Sequence, residues 1–283
     1  MVKIISDSTC DLSKELIAKY DIEIVPLYIL LGEAEYEDGV TITPDEIYRW
    51  SDEHKETPKT SAAGIEQTIQ VYENCLKCAD ELVVFSISSD MSTTNNVMRM
   101  AAQEIDAENR VFVIDSANLS TGEGLLVIEA AIMAKEGKSG AEIATYMEEL
   151  KPFVRASFVV NTLTYLHRGG RCSGVAAMAG GALKIHPKIV VEDSRMKPEE
   201  KFRGKMEKVV IDYVKSMESE LKNAKKDRVF ITHSGCEDTI IKSVYDYLAD
   251  LGHFEEILIT RAGGVISSHC GPGTLGVLFI GEN

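Results

Sequence analysis

Hydroxyl side chains crowd four short stretches of the N-terminal half. They are Ser6–Asp7–Ser8–Thr9, Thr60–Ser61, Ser88–Ser89 with Ser92–Thr93–Thr94, and Ser116 with Ser120–Thr121. A hydroxyl can donate to an anion while accepting from a backbone amide. At a helix N-terminus it also shares the partial positive field found there. N-capping alone explains any one of these stretches. Four of them, expected as loops directly after strands of one domain, point to a cleft that receives an anion.

Arg168–Gly169–Gly170–Arg171 sets two guanidinium groups around a diglycine, a candidate clamp over a carboxylate or phosphate. The bland alternative is a chain turn whose arginines satisfy nearby carbonyls. His233–Ser234–Gly235–Cys236 and His269–Cys270 both follow strand-like runs and contain zinc-ligand types, but they lack the compact knuckle spacing, so no metal is expected. His269 is expected to donate to an anionic head group, and His233 to be structural. Asp7, Asp11 and Asp115 lie near the expected cleft. They either orient hydroxyls and amides or act as general bases, and residue type does not separate the two roles.

Other chemistries lack their frames. No GxSxG elbow presents a nucleophile. Neither GxxxxGK[ST] nor GxGxxG occurs, and Gly122–Glu123–Gly124 does not replace them. Cys75 and Cys78 form a CxxC inside a helical pattern, whereas a redox pair belongs at a helix start, where the dipole lowers a thiol pKa.

These residues need elements to hold them. Val2–Ser6, Glu81–Ser88 and Arg110–Ser116 read as buried strands, and Ile24–Leu31 as one extended run with Pro26 at an edge or irregular position. Thr43, Pro44 and Glu46 make a helix start with a capping box. Residues 123–135 are apolar nearly all round, which predicts a buried helix, and another is expected over 141–150. Strands alternating with helices imply a parallel sheet covered on both faces, with ligand loops beyond the strands' C-terminal ends. Pro152 marks a boundary, giving domains at 1–152 and 153–283. In the second domain Ser157–Leu163 is extended, and Leu183–Asp193 is extended but interrupted by Pro187. Met206, Val210, Tyr213, Met217 and Leu221 recur as one face of a long helix.

The bulk properties narrow the function. The 283 residues suffice for two ordinary domains. A net charge of −15 with no basic run opposes a nucleic-acid role or broad attachment to anionic membranes. It leaves room for one anionic head group in a donor-rich cleft. Six cysteines in a chain of this size do not make a disulfide framework. No apolar run is long enough to span a membrane, and MVKIISDST does not look like a signal peptide. The cytoplasm is the expected location.

In the order and spacing of its motifs the chain resembles the DegV family from first strand to last. Ser6–Asp7–Ser8–Thr9–Cys10–Asp11–Leu12 matches the family's opening motif, and Thr60–Ser61 lies where its Thr-Ser loop occurs. Ser88–Ser89–Asp90–Met91–Ser92–Thr93–Thr94 is similar to its serine-rich loop. Asp115 through Gly124, Leu166 through Ser173, His233–Ser234–Gly235, and His269 with Gly271–Pro272–Gly273–Thr274–Leu275–Gly276 complete the pattern. Two departures stand out. Ser92–Thr93–Thr94 replaces a frequent Ser-Gly-Thr, and Thr60–Ser61 runs on to Ala62–Ala63–Gly64 instead of Pro-Ser.

The resemblance implies an α/β fold, with an N-terminal three-layer parallel-sheet domain and a C-terminal two-layer mixed-sheet domain. It implies a long-chain fatty acid between the domains as ligand, no cofactor, and presentation of the carboxylate to a separate ATP-dependent fatty acid kinase subunit that makes acyl phosphate. On this reading the chain is a non-catalytic subunit. Thr60, Ser61, Ser92, Arg171 and His269 are the implied head-group contacts, with Arg168, Ser120 and Thr93 as secondary ones. Gly174–Gly181 and the helix at Leu125–Met133 are candidate tail neighbours. Two alternatives stay open: a self-contained acyl hydrolase or transferase using Ser92, His269 and an aspartate, and a lipid-responsive sensor.

Overall fold

The computed structural model describes residues 1–105, 107–172 and 185–282. In chain order the first part holds β1 (Val2–Asp7), α1 (Lys14–Tyr20), β2 (Ile22–Val25), β3 (Tyr28–Leu31), β4 (Ala34–Glu37), α2 (Pro44–His54) and β5 (Lys59–Ser61). It continues with α3 (Ile65–Leu76), β6 (Glu81–Ser86), α4 (Thr94–Glu104), β7 (Val111–Asp115), α5 (Thr121–Lys135) and α6 (Gly140–Leu150).

Strands β2-β1-β6-β7 form a parallel sheet in that order. Their apolar residues alternate between its faces. Ile4, Val83 and Phe85 join one apolar cluster with α5 and α6, while Ile5, Leu82 and Val84 join another with Tyr72 and Met98 of α3 and α4.

The run from Ile24 to Leu31 is not one strand. The parallel ladder ends at Val25, and beyond Pro26 β3 starts in a separate antiparallel sheet ordered β4-β3-β5. A proline brings no N–H to a ladder, so the chain changes sheets there. Thr60 and Ser61 accordingly lie within the short strand β5 and not in a loop after a strand. The Thr43–Glu46 capping box is formed.

The second part holds β8 (Val154–Val159), α7 (Thr164–Gly169), β9 (Ile185–Glu192), β10 (Arg195–Arg203), α8 (Met206–Ser216) and α9 (Glu218–Lys222). It ends with β11 (Ala224–His233), α10 (Asp238–Leu251), β12 (Glu256–Arg261), α11 (Gly264–Cys270) and β13 (Leu275–Gly281). Its six-stranded mixed sheet runs β10-β9-β8-β13-β11-β12, with β11 and β12 parallel.

Two expectations fail here. Strand β9 passes through Pro187 without a break, because its pairing with β8 stops at Lys188 and leaves the proline flanked on one side only. The long helix is two helices meeting at Met217 (φ −104°, ψ 6°), although Tyr213, Met217 and Leu221 still face one core.

Helix α5 links the two sheets. It is buried continuously from Thr121 to Ala131 because β1 covers one side and β8 and β13 the other. The apolar cluster around it joins Ile4, Val83 and Phe85 to Val154, Ala156, Phe230 and Leu278 without a gap. Gly124 permits this packing, since a Cβ there would lie 2.8 Å from the Cys10 carbonyl oxygen. Buried Glu129 on α5 pairs with Lys225 (2.6 Å) and Arg228 of β11. Among the described residues no helix is long and apolar enough to cross a membrane.

Candidate functional site

The loop after β1 is held by carboxylates. Asp7 accepts from Thr9 N (2.8 Å), Thr9 Oγ1 (2.5 Å) and Ile87 N (2.8 Å). Burial raises its pKa to about 6, against the lowering effect of those hydrogen bonds. Glu123 accepts from Ser6 Oγ (2.9 Å) and Thr9 Oγ1 (3.2 Å), and burial holds its carboxyl well above the usual range. Asp11 and Asp38 reach across to α11, accepting from Gly263 N and Gly264 N at 2.7 Å each. Ser8 donates to Asp38 at 2.9 Å, and Ser120 donates to Asp11. The first loop of the chain thus fixes the start of the helix that carries His269.

Asp115 has a similar duty. It accepts from Ser89 N (3.2 Å), Ser89 Oγ (2.5 Å) and Ala117 N (2.9 Å), shaping the serine loop between β6 and α4. Asp7, Asp11 and Asp115 therefore orient amides and hydroxyls.

Beside these loops lies a cavity of 490 Å³. Thr60, Ser61, Ser92, Thr93, Arg171 and His269 line it together, drawn from β5, the serine loop, the segment after α7, and α11. Thr60 Oγ1 and His269 Nε2 are 2.8 Å apart. Burial, followed by the nearby Arg171 charge, lowers the His269 pKa to about 4, so the imidazole is neutral near pH 7. Arg171 is exposed at the mouth, where its Nη1 donates to the Gly169 carbonyl at 2.8 Å. Ser92 Oγ lies 2.9 Å from Thr94 Oγ1 and accepts from Thr94 N at 3.2 Å, at the start of α4. Leu27, Ile87, Met91, Leu119, Met196 and Ile266 add apolar surface, and the lining also includes Ser89 and Asp90, whose carboxylate is paired with Arg195 at 2.9 Å. Leu119, Ile266 and Cys270 also border a second, 30 Å³ chamber that reaches Phe158 and Leu278.

Not every expected residue arrives here. Arg168 points away and donates to Thr57 Oγ1 at 3.1 Å. Ser120 borders the small chamber, but its hydroxyl is committed to Asp11. Only two of the four hydroxyl stretches line the large cavity. The hydroxyls of Ser6 through Thr9 and Ser116 through Thr121 are used in internal hydrogen bonds, because those loops lie deeper than their sequence position suggests. His233 lies outside the large cavity, its Nδ1 accepting from Gly235 N and Cys236 N at 3.2 and 3.3 Å. Residues 125–133 pack in the core around α5 and border neither chamber, while residues 174–181 fall outside the described residues. No local sequence pattern marks Asp38 or the apolar walls. Asp38 precedes a glycine, a pattern common to ordinary turns, and Met196 and Ile266 meet the serine loop only through the tertiary fold.

The arrangement suits binding of an anionic head beside an apolar body. Ser92 is paired with Thr94 and not with His269, and His269 Nδ1 meets no carboxylate among the described residues. No group of three or more His, Cys, Asp or Glu side chains among the described residues is placed to hold a metal ion.

Known proteins give the geometry its context. The DegV family model, described as that of an uncharacterised protein, matches residues 1–282. A DegV domain-containing protein of Caldanaerobacter subterraneus subsp. tengcongensis is 33% identical over 280 residues, covering 98% of each chain. A DegV family protein from Thermus thermophilus, described by its fatty acid binding, superposes with a TM-score of 0.91 at 32% identity over 99% of each chain. A DegV lipid-binding protein from Thermotoga maritima superposes with a TM-score of 0.86 at 27% identity, covering 100% of this chain and 99% of the other.

Proposed function

The chain belongs to the DegV family, and from that membership we propose that it is a cytoplasmic holder of one long-chain fatty acid that presents the carboxylate to a separate ATP-dependent kinase subunit. Residues 1–152 and 153–283 are the two domains that enclose the ligand on this reading. The observation that carries it is the 490 Å³ cavity on which Thr60, Ser61, Ser92, Arg171 and His269 converge above an apolar wall. The fatty-acid and lipid binding described for the Thermus and Thermotoga relatives supports the same reading.

The energetics divide between tail and head. Burial contributes roughly 0.8 kcal/mol per CH₂, so a tail of about 14 methylenes supplies on the order of 11 kcal/mol before ordering costs. The carboxylate must exchange water for comparably good hydrogen bonds, which here come from Arg171 and the hydroxyls. Affinity then resides mainly in the tail, and orientation in the head.

Native mass spectrometry of gently purified protein is expected to show a fatty-acid adduct that delipidation removes and palmitate restores. A chain that is always empty and takes up no fatty acid overturns the proposal. The partner role has its own measurement. ATP and a cognate kinase subunit should yield acyl phosphate, trapped as the hydroxamate, only when this chain is present, and formation without it removes the role.

A further inference from the structure

Gly169 closes α7, and a Cβ built on it would lie 2.5 Å from His269 Nδ1, against a ring held within the fold. That Nδ1 is buried and has no hydrogen-bond partner among the described residues. On the opposite edge of the ring, Nε2 is 2.8 Å from Thr60 Oγ1. The Gly169 carbonyl also accepts from Arg171 Nη1 at 2.8 Å. Gly169 therefore contacts both the imidazole and the guanidinium of the head-group cluster, without lining the cavity itself. Its neighbour Gly170 is different: it takes the left-handed cap (φ 67°), and a Cβ there would meet nothing within 4 Å.

We infer that Gly169 is a positioning residue that sets the tautomer of His269 and thereby makes Thr60 a hydrogen-bond donor toward the ligand. A proton on Nδ1 would aim an N–H at the glycine backbone with no acceptor in reach, and an unsatisfied buried donor is costly. A lone pair at that place needs less room. The proton then sits on Nε2 and is donated to Thr60 Oγ1. Having accepted there, the threonine hydroxyl keeps its own hydrogen for an anionic oxygen. With the other tautomer Thr60 would donate to Nε2 and turn only lone pairs toward the carboxylate. Any side chain at 169 takes the space of the ring edge and drives the imidazole off Thr60. No sequence rule signals this role, since a diglycine after a helix reads as a cap.

The inference rests on the fatty-acid reading only for its binding arm. Nitrogen-15 NMR of the histidine-labelled full chain without ligand, with the His269 resonances identified by their loss in His269→Ala, is expected to show a bare Nδ1 and a protonated Nε2. Gly169→Ala should abolish that pattern and weaken palmitate binding roughly tenfold, the loss of about one good hydrogen bond. In the His269→Ala background the same substitution should cost nothing further. A protonated Nδ1 in the parent chain overturns the inference, as does an equal penalty from Gly169→Ala in both backgrounds. The parent spectrum decides the tautomer even if Gly169→Ala does not fold. A parent chain with the expected nitrogen pattern but no palmitate binding sinks the proposed function and leaves the tautomer assignment standing.

Discussion

Arg171 is the only lysine or arginine lining the large cavity among the described residues, and the imidazole beside it is neutral near pH 7. Replacing it with alanine therefore removes the cationic donor for a carboxylate while leaving an exposed position otherwise undisturbed. Arg171→Ala is expected to weaken palmitate binding about ten- to a hundredfold, the range for a hydrogen bond to a charged group, with little change in Tm. Titration calorimetry and a thermal melt check the two halves, and unchanged affinity removes Arg171 from the site. Asp7 makes a different prediction. Its folded pKa of about 6 lies above its ordinary value of 3.8, so the folded state binds a proton more tightly than the unfolded one. The associated stability is fully present below about pH 4 and is lost as pH rises through 6. Parent-minus-Asp7→Asn stability should fall by roughly 2 kcal/mol between pH 4 and 6 by urea denaturation, and a flat difference contradicts the assigned shift.

At the scale of elements, α11 matters most, because Asp11 and Asp38 take its first amides and His269 sits near its far end. Asp38→Ala leaves the Gly264 amide and the Ser8 hydroxyl without their acceptor, and is expected to cost about 1–3 kcal/mol in urea unfolding. Binding should fall with it, since the helix start positions His269. A stable variant with parental affinity would show that the capping does not position the site. Asp38 could not be found by spacing: its partner is 226 residues away, and a turn is the natural reading of Asp-Gly. Pro26 and Pro187 show the same limit of local rules. One proline ends a ladder and the other lies inside a strand, and what separates them is whether a neighbouring strand needs the missing N–H.

For the whole molecule, the continuous core around α5 couples the two sheets. Trp50, the single tryptophan, packs against the N-terminal cluster, while far-UV circular dichroism samples both sheets. Their urea transitions are expected to coincide. Glu129→Ala leaves Lys225 and Arg228 without their shared carboxylate and should shift both transitions together by about 3–5 kcal/mol. Two separated transitions would mean that the sheets unfold independently.

Much of this protein was legible in its residues because the information is local. Strand alternation, the Thr43–Glu46 capping box, the all-round apolar face of residues 123–135 and the ordered DegV motifs depend on near neighbours or on motif order along the chain. They determined the two kinds of sheet, the buried helix and a set of head-group candidates. The tertiary structure alone decided which hydroxyls line a cavity. Ser6, Ser8, Thr9 and Ser120 have the same chemistry as Thr60 and Ser92, but they meet Glu123, Asp38, Asp7 and Asp11, and their hydrogens are already committed. It also decided that Arg171 stands at the mouth and Arg168 turns away, and that Gly169 meets the ring of His269. Those outcomes depend on distances between segments a hundred residues apart, which no periodicity in the chain records.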